Sequence, residues 1–271
     1  MKFGFIGAGN MVSAIVKGMT IGGGAYHGED IFITSKTITS AQKLADICGA
    51  NTCKTAIEVA QQSDILVLGV KPHILAEVLP DIKNSIAKKQ PVVVSIAAGK
   101  NLEYLAERLP QNTPIVRVMP NINAKIGAST TGICANASVT AEQLAQVKQV
   151  FETIGSVAEI PEQHFGIFSV IGGASVAFAY LYMDALARAA LKAGMPKAQA
   201  LDIVAETVKG SAEMVIKSGE APWVLVDQVC SPGGTTIEGV TTLQAKGFEA
   251  AVVSAFDAVL QKDIKIGKEL N

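Results

Sequence analysis

The sequence predicts a doubly wound α/β domain built on a mostly parallel sheet, followed by an all-α domain. Short apolar runs alternate with helical patterns over residues 1–161, and a glycine-rich turn follows the first of these runs. From residue 162 to residue 271 only helical periodicity remains. Because 271 residues can bury two hydrophobic cores, we expect each part to be a separate domain.

The first predicted strand ends in the turn Gly7-Ala8-Gly9, and a helix is expected to begin near Asn10. The missing side chains allow a tight turn and the close approach of a diphosphate, whose charge the free N–H groups of the helix would meet. Val12 stands where the dinucleotide-binding fingerprint prefers glycine or alanine, and short glycine turns also occur without a ligand. The position between a strand and an amphipathic helix favours a dinucleotide site over a plain turn.

The other strands and helices of this part are predicted in alternation. Apolar runs without polar alternation are typical of parallel strands covered on both faces. A capping box of Thr140 and Gln143 precedes the last helix. The predicted strands are Ile31–Thr34, Ile65–Val70, Pro91–Ser95, Ile115–Met119 and Val157–Ile160, and the predicted helices are Ala41–Cys48, Ala56–Gln62, Ile74–Ile86, Leu102–Leu109 and Leu144–Ile154.

The second part is predicted to contain more apolar surface than a single bundle of about 110 residues can bury, so we expect a homodimer built through it. The uncharged stretch Phe165–Met183 is slightly short for a membrane span of roughly 20 residues, and its glycines suit a core helix better. The predicted helices are Ile167–Ala193, Pro196–Lys217, Pro222–Val229, Thr235–Ala245 and Phe248–Leu270.

Composition narrows the class of partner. A formal charge of −1 without a basic cluster argues against nucleic acid and against an anionic membrane surface, which leaves a small molecule. The four cysteines and three histidines stand at no metal-ligand spacing, so free thiols and no metal are expected. Asn10 and Lys17 interrupt the apolar start and no cleavage site follows, which predicts a cytoplasmic protein.

The end of the second strand predicts the coenzyme. An acidic residue normally stands there in an NAD site and accepts from the ribose hydroxyl, but here Ser35 and Lys36 follow the strand. A donor hydroxyl and a positive charge suit a 2′-phosphate, which predicts NADP, with NADPH preferred over NADH. The alternative is a solvated turn with an incidental lysine. Two further segments follow strands at the edge of the sheet where ligands bind: Val70-Lys71-Pro72 and Ala97-Ala98-Gly99. They could shape loops against the cofactor, or they could be ordinary loop residues.

A non-helical segment, Ser231-Pro232-Gly233-Gly234, separates two predicted helices. It creates a helix N-terminus at which Gly233, Gly234 and Thr235 could present N–H groups to a carboxylate, with a hydroxyl of Thr235 or Thr236 left for a second polar atom. A helix–helix corner capped by threonine explains the same residues equally well.

Taken together, these motifs resemble those of the pyrroline-5-carboxylate reductase family, in the family's order and over nearly the whole chain. The segment around Pro232 is the most specific part of the resemblance. The matching residues are Gly7-Ala-Gly-Asn-Met11 with Ala14, Val70-Lys-Pro72, Ala97-Ala-Gly99, Arg117-Val-Met-Pro-Asn121 and Cys230-Ser-Pro-Gly-Gly-Thr-Thr-Ile-Glu238.

The resemblance implies the reduction of 1-pyrroline-5-carboxylate to L-proline with NAD(P)H, the last step of proline biosynthesis. It implies a Rossmann domain over 1–161 and a helical dimerisation and substrate-binding domain over 162–271, with dimers that assemble into decamers. The implied cofactor-binding residues are Gly7, Ala8, Gly9, Asn10, Met11, Ser35, Lys36, Val70, Lys71, Pro72, Ala97, Ala98, Gly99 and Asn121. The implied substrate-binding residues are Ser231, Gly233, Gly234, Thr235 and Thr236, and Thr236 is the expected catalytic residue, with its hydroxyl at the ring nitrogen.

The chain departs from the family pattern at three places. Ile122 and Asn123 stand where the family usually has Thr-Pro. A proline is usual at the position of Val176, within the segment Gly173-Ala-Ser-Val-Ala-Phe178. Ala56 stands where the family often has an asparagine. The first two changes remove a hydroxyl, two prolines and a phenol near the expected active cleft. They leave the exact substrate and the turnover open.

Two other functions stay open at this stage. One is an NADP-dependent reductase of a related cyclic imine or of a small hydroxy acid, although a hydroxy-acid enzyme would want a lysine on the long helix and none lies between Lys148 and Lys192. The other is a non-catalytic NADP-binding regulator, which only the departures at Ile122, Asn123 and Val176 favour.

Overall fold

The computed structural model describes residues 1–21 and 26–270, and the side chains of 268–270 lie outside that description. The described residues form an eight-stranded sheet in the order β3-β2-β1-β4-β5-β6-β7-β8. Neighbouring strands are parallel except for β6 and β7, which are antiparallel. The strands are β1 Phe3–Ile6, β2 Ile31–Thr34, β3 Asn51–Thr52, β4 Ile65–Leu68, β5 Val92–Ser95, β6 Ile115–Met119, β7 Ser129–Ala135 and β8 Gly155–Glu159.

Helices cover both faces of this sheet, which confirms the predicted doubly wound class. The helices are α1 Asn10–Thr20, α2 Ile38–Cys48, α3 Ala56–Gln62, α4 Pro72–Lys89, α5 Leu102–Arg108 and α6 Ala141–Glu152. One hydrophobic core contains residues of α1, α2 and α6, and a second core contains residues of α3, α4 and α5. The central strands are buried in both cores, as their unbroken apolar sequences predict.

Local chemistry fixes several of the helix ends. Thr140 and Gln143 form both hydrogen bonds of the predicted capping box at the start of α6. Gly49 ends α2 in the left-handed region, as predicted, but the helix begins at Ile38 rather than at Ala41. Helix α4 begins earlier than predicted, because Pro72 occupies a first-turn position where a missing N–H has no consequence.

The remaining helices follow β8, and a π-helical turn interrupts the long helix that the sequence predicted. This turn spans Ser169–Ala174 and separates α7 from α8. The other boundaries lie within a residue or two of prediction. The helices are α7 Phe165–Phe168, α8 Ser175–Lys192, α9 Lys197–Ser218, α10 Pro222–Val229, α11 Thr235–Ala245 and α12 Phe248–Leu270.

Contacts divide the chain into two compact units. The first contains Met1–Gly173 together with Leu260–Asn271, and the second contains Ala174–Val259. Within the second unit, Asp184 of α8 pairs with Lys197 of α9 at 2.6 Å and also with Arg188. Hydrogen bonds from Lys197 and then Arg188 lower the pKa of Asp184. The ionised carboxylate therefore links the end of one helix to the start of the next.

The helical stretch Glu162–Lys192 is long and apolar enough to cross a membrane, by length and composition alone, and it is the one such helix among the described residues. Only 22% of its most apolar window is buried within the single chain. The expected core helix is therefore largely exposed in one copy of the protein.

Gly155 begins β8 with a φ of +142°, which favours glycine. A Cβ atom there would lie 2.1 Å from the carbonyl oxygen of Ser129. At Gly49 φ is also positive, at +66°, but a Cβ would meet no atom within 4 Å.

We expect Gly155→Ala to lower the free energy of unfolding by at least about 3 kcal/mol, because the substitution adds a backbone clash to an unfavourable φ. Gly49→Ala is the matched control and should lower it by about 1 kcal/mol, since only the left-handed conformation is penalised. Urea denaturation followed by circular dichroism measures both values. Equal losses would contradict the close approach of Gly155 to Ser129.

Candidate active site

The candidate site lies at the carboxyl ends of the strands, where the strand order reverses. Strand β1 has β2 on one side and β4 on the other, and the helices α1 and α4 that follow β1 and β4 belong to different cores. The two following loops diverge there and leave a crevice, which is where ligands bind in open α/β sheets. The glycine turn after β1 opens directly into this crevice.

The two glycines of the turn have different surroundings. Gly7 has a φ of +119°, its N–H donates to the carbonyl of Thr34 at 2.7 Å, and a Cβ would lie 2.5 Å from the carbonyl oxygen of Gly69. Gly9 is exposed, and a Cβ there would meet no protein atom within 4 Å. Packing alone therefore explains Gly7, whereas the open space at Gly9 fits a ligand that approaches the backbone, as a diphosphate would.

Val12 fits the site because its neighbour is a glycine. A Cβ at Gly69 would lie 2.2 Å from a methyl carbon of Val12, whose side chain is buried. The dinucleotide fingerprint calls for a small residue at this point of the helix so that the helix can approach the sheet. Here the missing side chain is on the loop after β4 instead of on α1, so the close approach is kept.

The turn after β2 presents a lysine to solvent. The hydroxyl of Ser35 donates to the carbonyl of Thr37 at 2.7 Å, which holds the turn, and Lys36 is exposed beside it. In the part of the chain that the structure describes, Lys36 has no ion-pair partner, and Thr34–Thr37 contains no carboxylate. This turn can therefore accommodate a dianion.

The loops after β4 and β5 complete the rim of the crevice. Lys71 is the exposed N-cap of α4, and Gly99 has a φ of +73° in the loop after β5. A cavity of about 160 Å³ lies below this rim. Its lining residues are Met11, Ile96, Ala97, Ala98, Arg117, Val118, Met119 and Pro120.

One wall of the cavity is held by a half-buried ion pair that the sequence analysis did not predict. Arg117 binds the carboxylate of Glu162 at 3.1 Å, and its guanidinium lies 4.4 Å from the centre of the Phe165 ring. The same carboxylate oxygen accepts from the backbone N–H of Leu102 at 2.7 Å. Opposite Arg117 on β7, burial and then the Glu162 charge raise the pKa of Cys134 to about 12, so this thiol stays protonated and unreactive.

Asn121 is buried, and its carboxamide already bonds to protein at both ends. The amide nitrogen donates to the carbonyl of Gly172 at 2.8 Å, and the amide oxygen accepts from the backbone N–H of Asn123 at 3.0 Å. Its backbone N–H donates to the hydroxyl of Ser129 at 3.0 Å. These bonds tie the end of β6 to the π-helical turn. The predicted contact of Asn121 with the cofactor stays a prediction.

The segment Ser231–Thr236 lies in the second unit and is largely exposed. The N-cap of α11 is Gly234, whose own N–H donates to the carbonyl of Ser231 at 3.0 Å. The expectation that Gly234 offers a free N–H was therefore wrong, and so was the threonine cap. Within the helix, the N–H groups of Thr235, Thr236 and Ile237 have no acceptor, because they belong to the first turn.

The described residues contain no group of three or more His, Cys, Asp or Glu side chains that could hold a metal. All four cysteines carry free thiols. The absence of a metal in the active protein stays a prediction.

Comparison with known proteins points to one family over the whole chain. Residues 162–266 match the family model described as pyrroline-5-carboxylate reductase dimerisation, and residues 2–99 match the model described as NADP oxidoreductase, coenzyme F420-dependent. The pyrroline-5-carboxylate reductase of Escherichia coli strain K12 is 42% identical over 267 residues, which cover 98% of each chain.

Two solved structures are also similar to this chain. The 1-pyrroline-5-carboxylate reductase of Streptococcus pyogenes has a TM-score of 0.84 at 36% identity and covers 97% of this chain and 98% of its own. The pyrroline carboxylate reductase of Plasmodium falciparum, solved with NADP bound, has a TM-score of 0.84 at 32% identity, with 98% of both chains covered. Such identity over the full length exceeds what a shared fold alone would give. This chain therefore belongs to the pyrroline-5-carboxylate reductase family.

Proposed function

We propose that this protein reduces 1-pyrroline-5-carboxylate to L-proline with NADPH, the last step of proline biosynthesis. The observation that carries the proposal is the full-length similarity to pyrroline-5-carboxylate reductases, and the coenzyme would bind at the exposed glycine turn beside the acid-free turn of Ser35 and Lys36. That arrangement fits a dinucleotide with a 2′-phosphate, and the chain belongs to a family whose Plasmodium member was solved with NADP. The predicted cofactor residues on the loops after β1, β2, β4 and β5 all lie at this edge of the sheet.

The reaction adds a hydride to the carbon of a C=N bond and leaves a secondary amine. The reduced nicotinamide, when bound, supplies the two electrons as hydride. The electrophile is the protonated iminium, whose ring proton becomes the amine proton of the product, so no dedicated acid is required. The protein has to orient the ring and to hold its carboxylate.

The start of α11 supplies the groups for this task. Its free N–H groups and the positive end of the helix dipole bind the substrate carboxylate. Thr236 places its hydroxyl at the ring nitrogen, where it accepts a hydrogen bond from the iminium N–H and can donate to the neutral imine. Thr235 occupies the first helical position and contributes its backbone N–H rather than a side-chain cap.

The protein carries a dimerisation domain and forms homo-oligomers. Within the second unit, an apolar cavity of about 570 Å³ is open at the surface, and its lining comes from α8, α11 and α12. We propose a dimer formed through residues 162–271, with the Rossmann domain over 1–161, assembly of dimers into a decamer, and a cytoplasmic location. The exposed apolar surface of α8 supports this proposal, since monomers rarely expose such patches.

A turnover assay with pyrroline-5-carboxylate and NADPH tests the proposed function. Oxidation of NADPH with formation of proline supports it. Activity only with a different cyclic imine or a hydroxy acid would mean that the protein has another substrate. NADPH binding without any turnover would mean that the protein is a non-catalytic regulator.

The coenzyme prediction concerns Lys36. We expect Lys36→Glu to weaken the binding of NADPH by at least about 1.5–3 kcal/mol, because a carboxylate replaces the cation proposed to face the 2′-phosphate. The affinity for NADH should change far less. Steady-state KM values for the two coenzymes check this, and equal losses for both would contradict the assignment.

The catalytic prediction concerns Thr236. We expect Thr236→Val to lower kcat/KM by about 10- to 100-fold, because valine keeps the shape but cannot bond the ring nitrogen. NADPH affinity and melting temperature should stay nearly unchanged. Thr235→Val is the matched control and should leave turnover intact and change stability by less than about 0.5 kcal/mol, since Gly234 is the N-cap. If the two variants exchanged phenotypes, the site would be out of register by one residue.

The assembly prediction concerns Leu181, which lines the apolar cavity of the second unit and is 71% exposed in the single chain. We expect Leu181→Asp to shift the full-length protein towards monomer, because an unpaired carboxylate would be buried in the interface. The matched control is Ile47→Asp on α2, where the side chain is 55% exposed and outside that cavity. Sedimentation velocity measures both, and an unchanged oligomer for Leu181→Asp would place the interface elsewhere.

A further inference from the structure

We propose that Lys54 is a second cation for the 2′-phosphate of NADPH and is therefore a residue that determines coenzyme specificity. This inference rests on the proposed function and extends its cofactor site to a strand that the sequence did not predict. Four observations carry it: the pairing of β2 with β3, a row of lysines at one edge of the sheet, the position of Glu58, and the residue at position 56.

The pairing of β3 brings Lys54 to the turn that contains Ser35. Strand β3 is parallel to β2, with Thr52 opposite Ile33. The pairing continues one residue further, because the N–H of Cys53 donates to the carbonyl of Ile33 at 2.8 Å. The next residue, Lys54, is exposed just beyond the end of β3. Because the two strands run in the same direction, Lys54 and Ser35 leave the sheet at the same edge.

Lys54 belongs to a row of three lysines at this edge. Lys36, Lys54 and Lys71 follow β2, β3 and β4, so that they flank the glycine turn after β1. All three are exposed, and none has an ion-pair partner among residues 1–21 and 26–267. Unpaired charges of one sign around a crevice raise the local concentration of an anionic ligand. The row matches a ligand with a diphosphate and a further phosphate on its ribose.

The acidic residue beside Lys54 is already bound to backbone. The carboxylate of Glu58 accepts from the backbone N–H of Lys54 at 2.9 Å, while the N–H of Glu58 donates to the hydroxyl of Thr55 at 3.1 Å. These reciprocal bonds cap α3. Among the described residues no ion pair joins this carboxylate to a lysine. Its charge therefore supports the helix start and is not paired with the ammonium group of Lys54.

The side chain at position 56 cannot bind the 2′-phosphate, whereas that of Lys54 can. Ala56 begins α3 and carries no polar side-chain atom, so it offers nothing to a phosphate. Within the turn Lys54-Thr55-Ala56, the hydroxyl of Thr55 already accepts the capping bond. The ammonium group of Lys54 is then the one side-chain cation of this turn. The two proposed cations for the 2′-phosphate, Lys36 and Lys54, thus follow two neighbouring strands, β2 and β3.

The test is a fluorescence titration of the full-length protein with NADPH and, separately, with NADH, which differ only in the 2′-phosphate. We expect Lys54→Ala to raise the Kd of NADPH by about 3- to 10-fold, because one cation is removed from a partly exposed dianion site. The Kd of NADH should stay within about 2-fold, and the difference should shrink as the salt concentration rises. Lys54→Glu should increase the loss for NADPH in the same direction.

The matched control is Lys88→Ala, which removes an equal charge from the last turn of α4, away from the carboxyl edge of the sheet. We expect no change in either Kd for this variant. If wild-type protein binds NADPH and Lys54→Ala keeps the wild-type ratio of the two Kd values, Lys54 has no part in the site and the inference is overturned. If wild-type protein binds neither coenzyme, the proposed function itself fails, so the two failures are distinguishable.

Discussion

The close contact between Gly7 and Gly69 is the constraint on which the rest of the nucleotide-binding half depends. It allows the turn after β1 to pass against the loop after β4 at the point where the strand order reverses. Any side chain at Gly7 would collide with a backbone carbonyl, which cannot move without separating β1 from β4. Gly69 in turn makes room for Val12, so the missing side chain at Gly7 permits the turn and the missing side chain at Gly69 permits the approach of the helix. The crevice is thus a product of backbone proximity rather than of any polar group.

Much of this half could be predicted because local signals and burial agree. The unbroken apolar run of β4 and the capping box of α6 specify their elements without help from distant residues. Strand β7 could not be found in this way, since Ser129-Thr-Thr-Gly begins it with polar residues and its pairing to β6 and β8 is long-range. Strand β3 contains only Asn51 and Thr52, which is too short for any periodicity. The π-helical turn also has no periodic signal, and its bond to Asn121 comes from a distant loop.

The residues of the candidate site also fall into those that local sequence signals identify and those that they do not. Motif residues such as Gly7, Lys36 and Gly99 were identified from sequence because each follows a strand end, and the structure places them along one sheet edge. Glu162 and Lys54 were not identified, because their relevance depends on which strands and segments are neighbours. Glu162 supports the cavity wall because it binds Arg117, and it also accepts a hydrogen bond from Leu102; both residues lie far from it in sequence. Side chains that support a site are therefore harder to predict than those that define its motif.

In the helical unit the local sequence signals specify the helices well, but much of the apolar surface of these helices is exposed in the single chain. Its helix boundaries follow from Pro196, Pro222, Gly219 and similar end signals, yet few of its apolar side chains are buried in one copy. Apolar area left exposed contributes nothing to folding, so the proposed dimer would add stability to this unit by covering that area. Folding and assembly are then linked, and the melting temperature should depend on protein concentration. Because the proposed substrate segment Ser231–Thr236 lies in this unit, assembly would also affect the proposed chemistry.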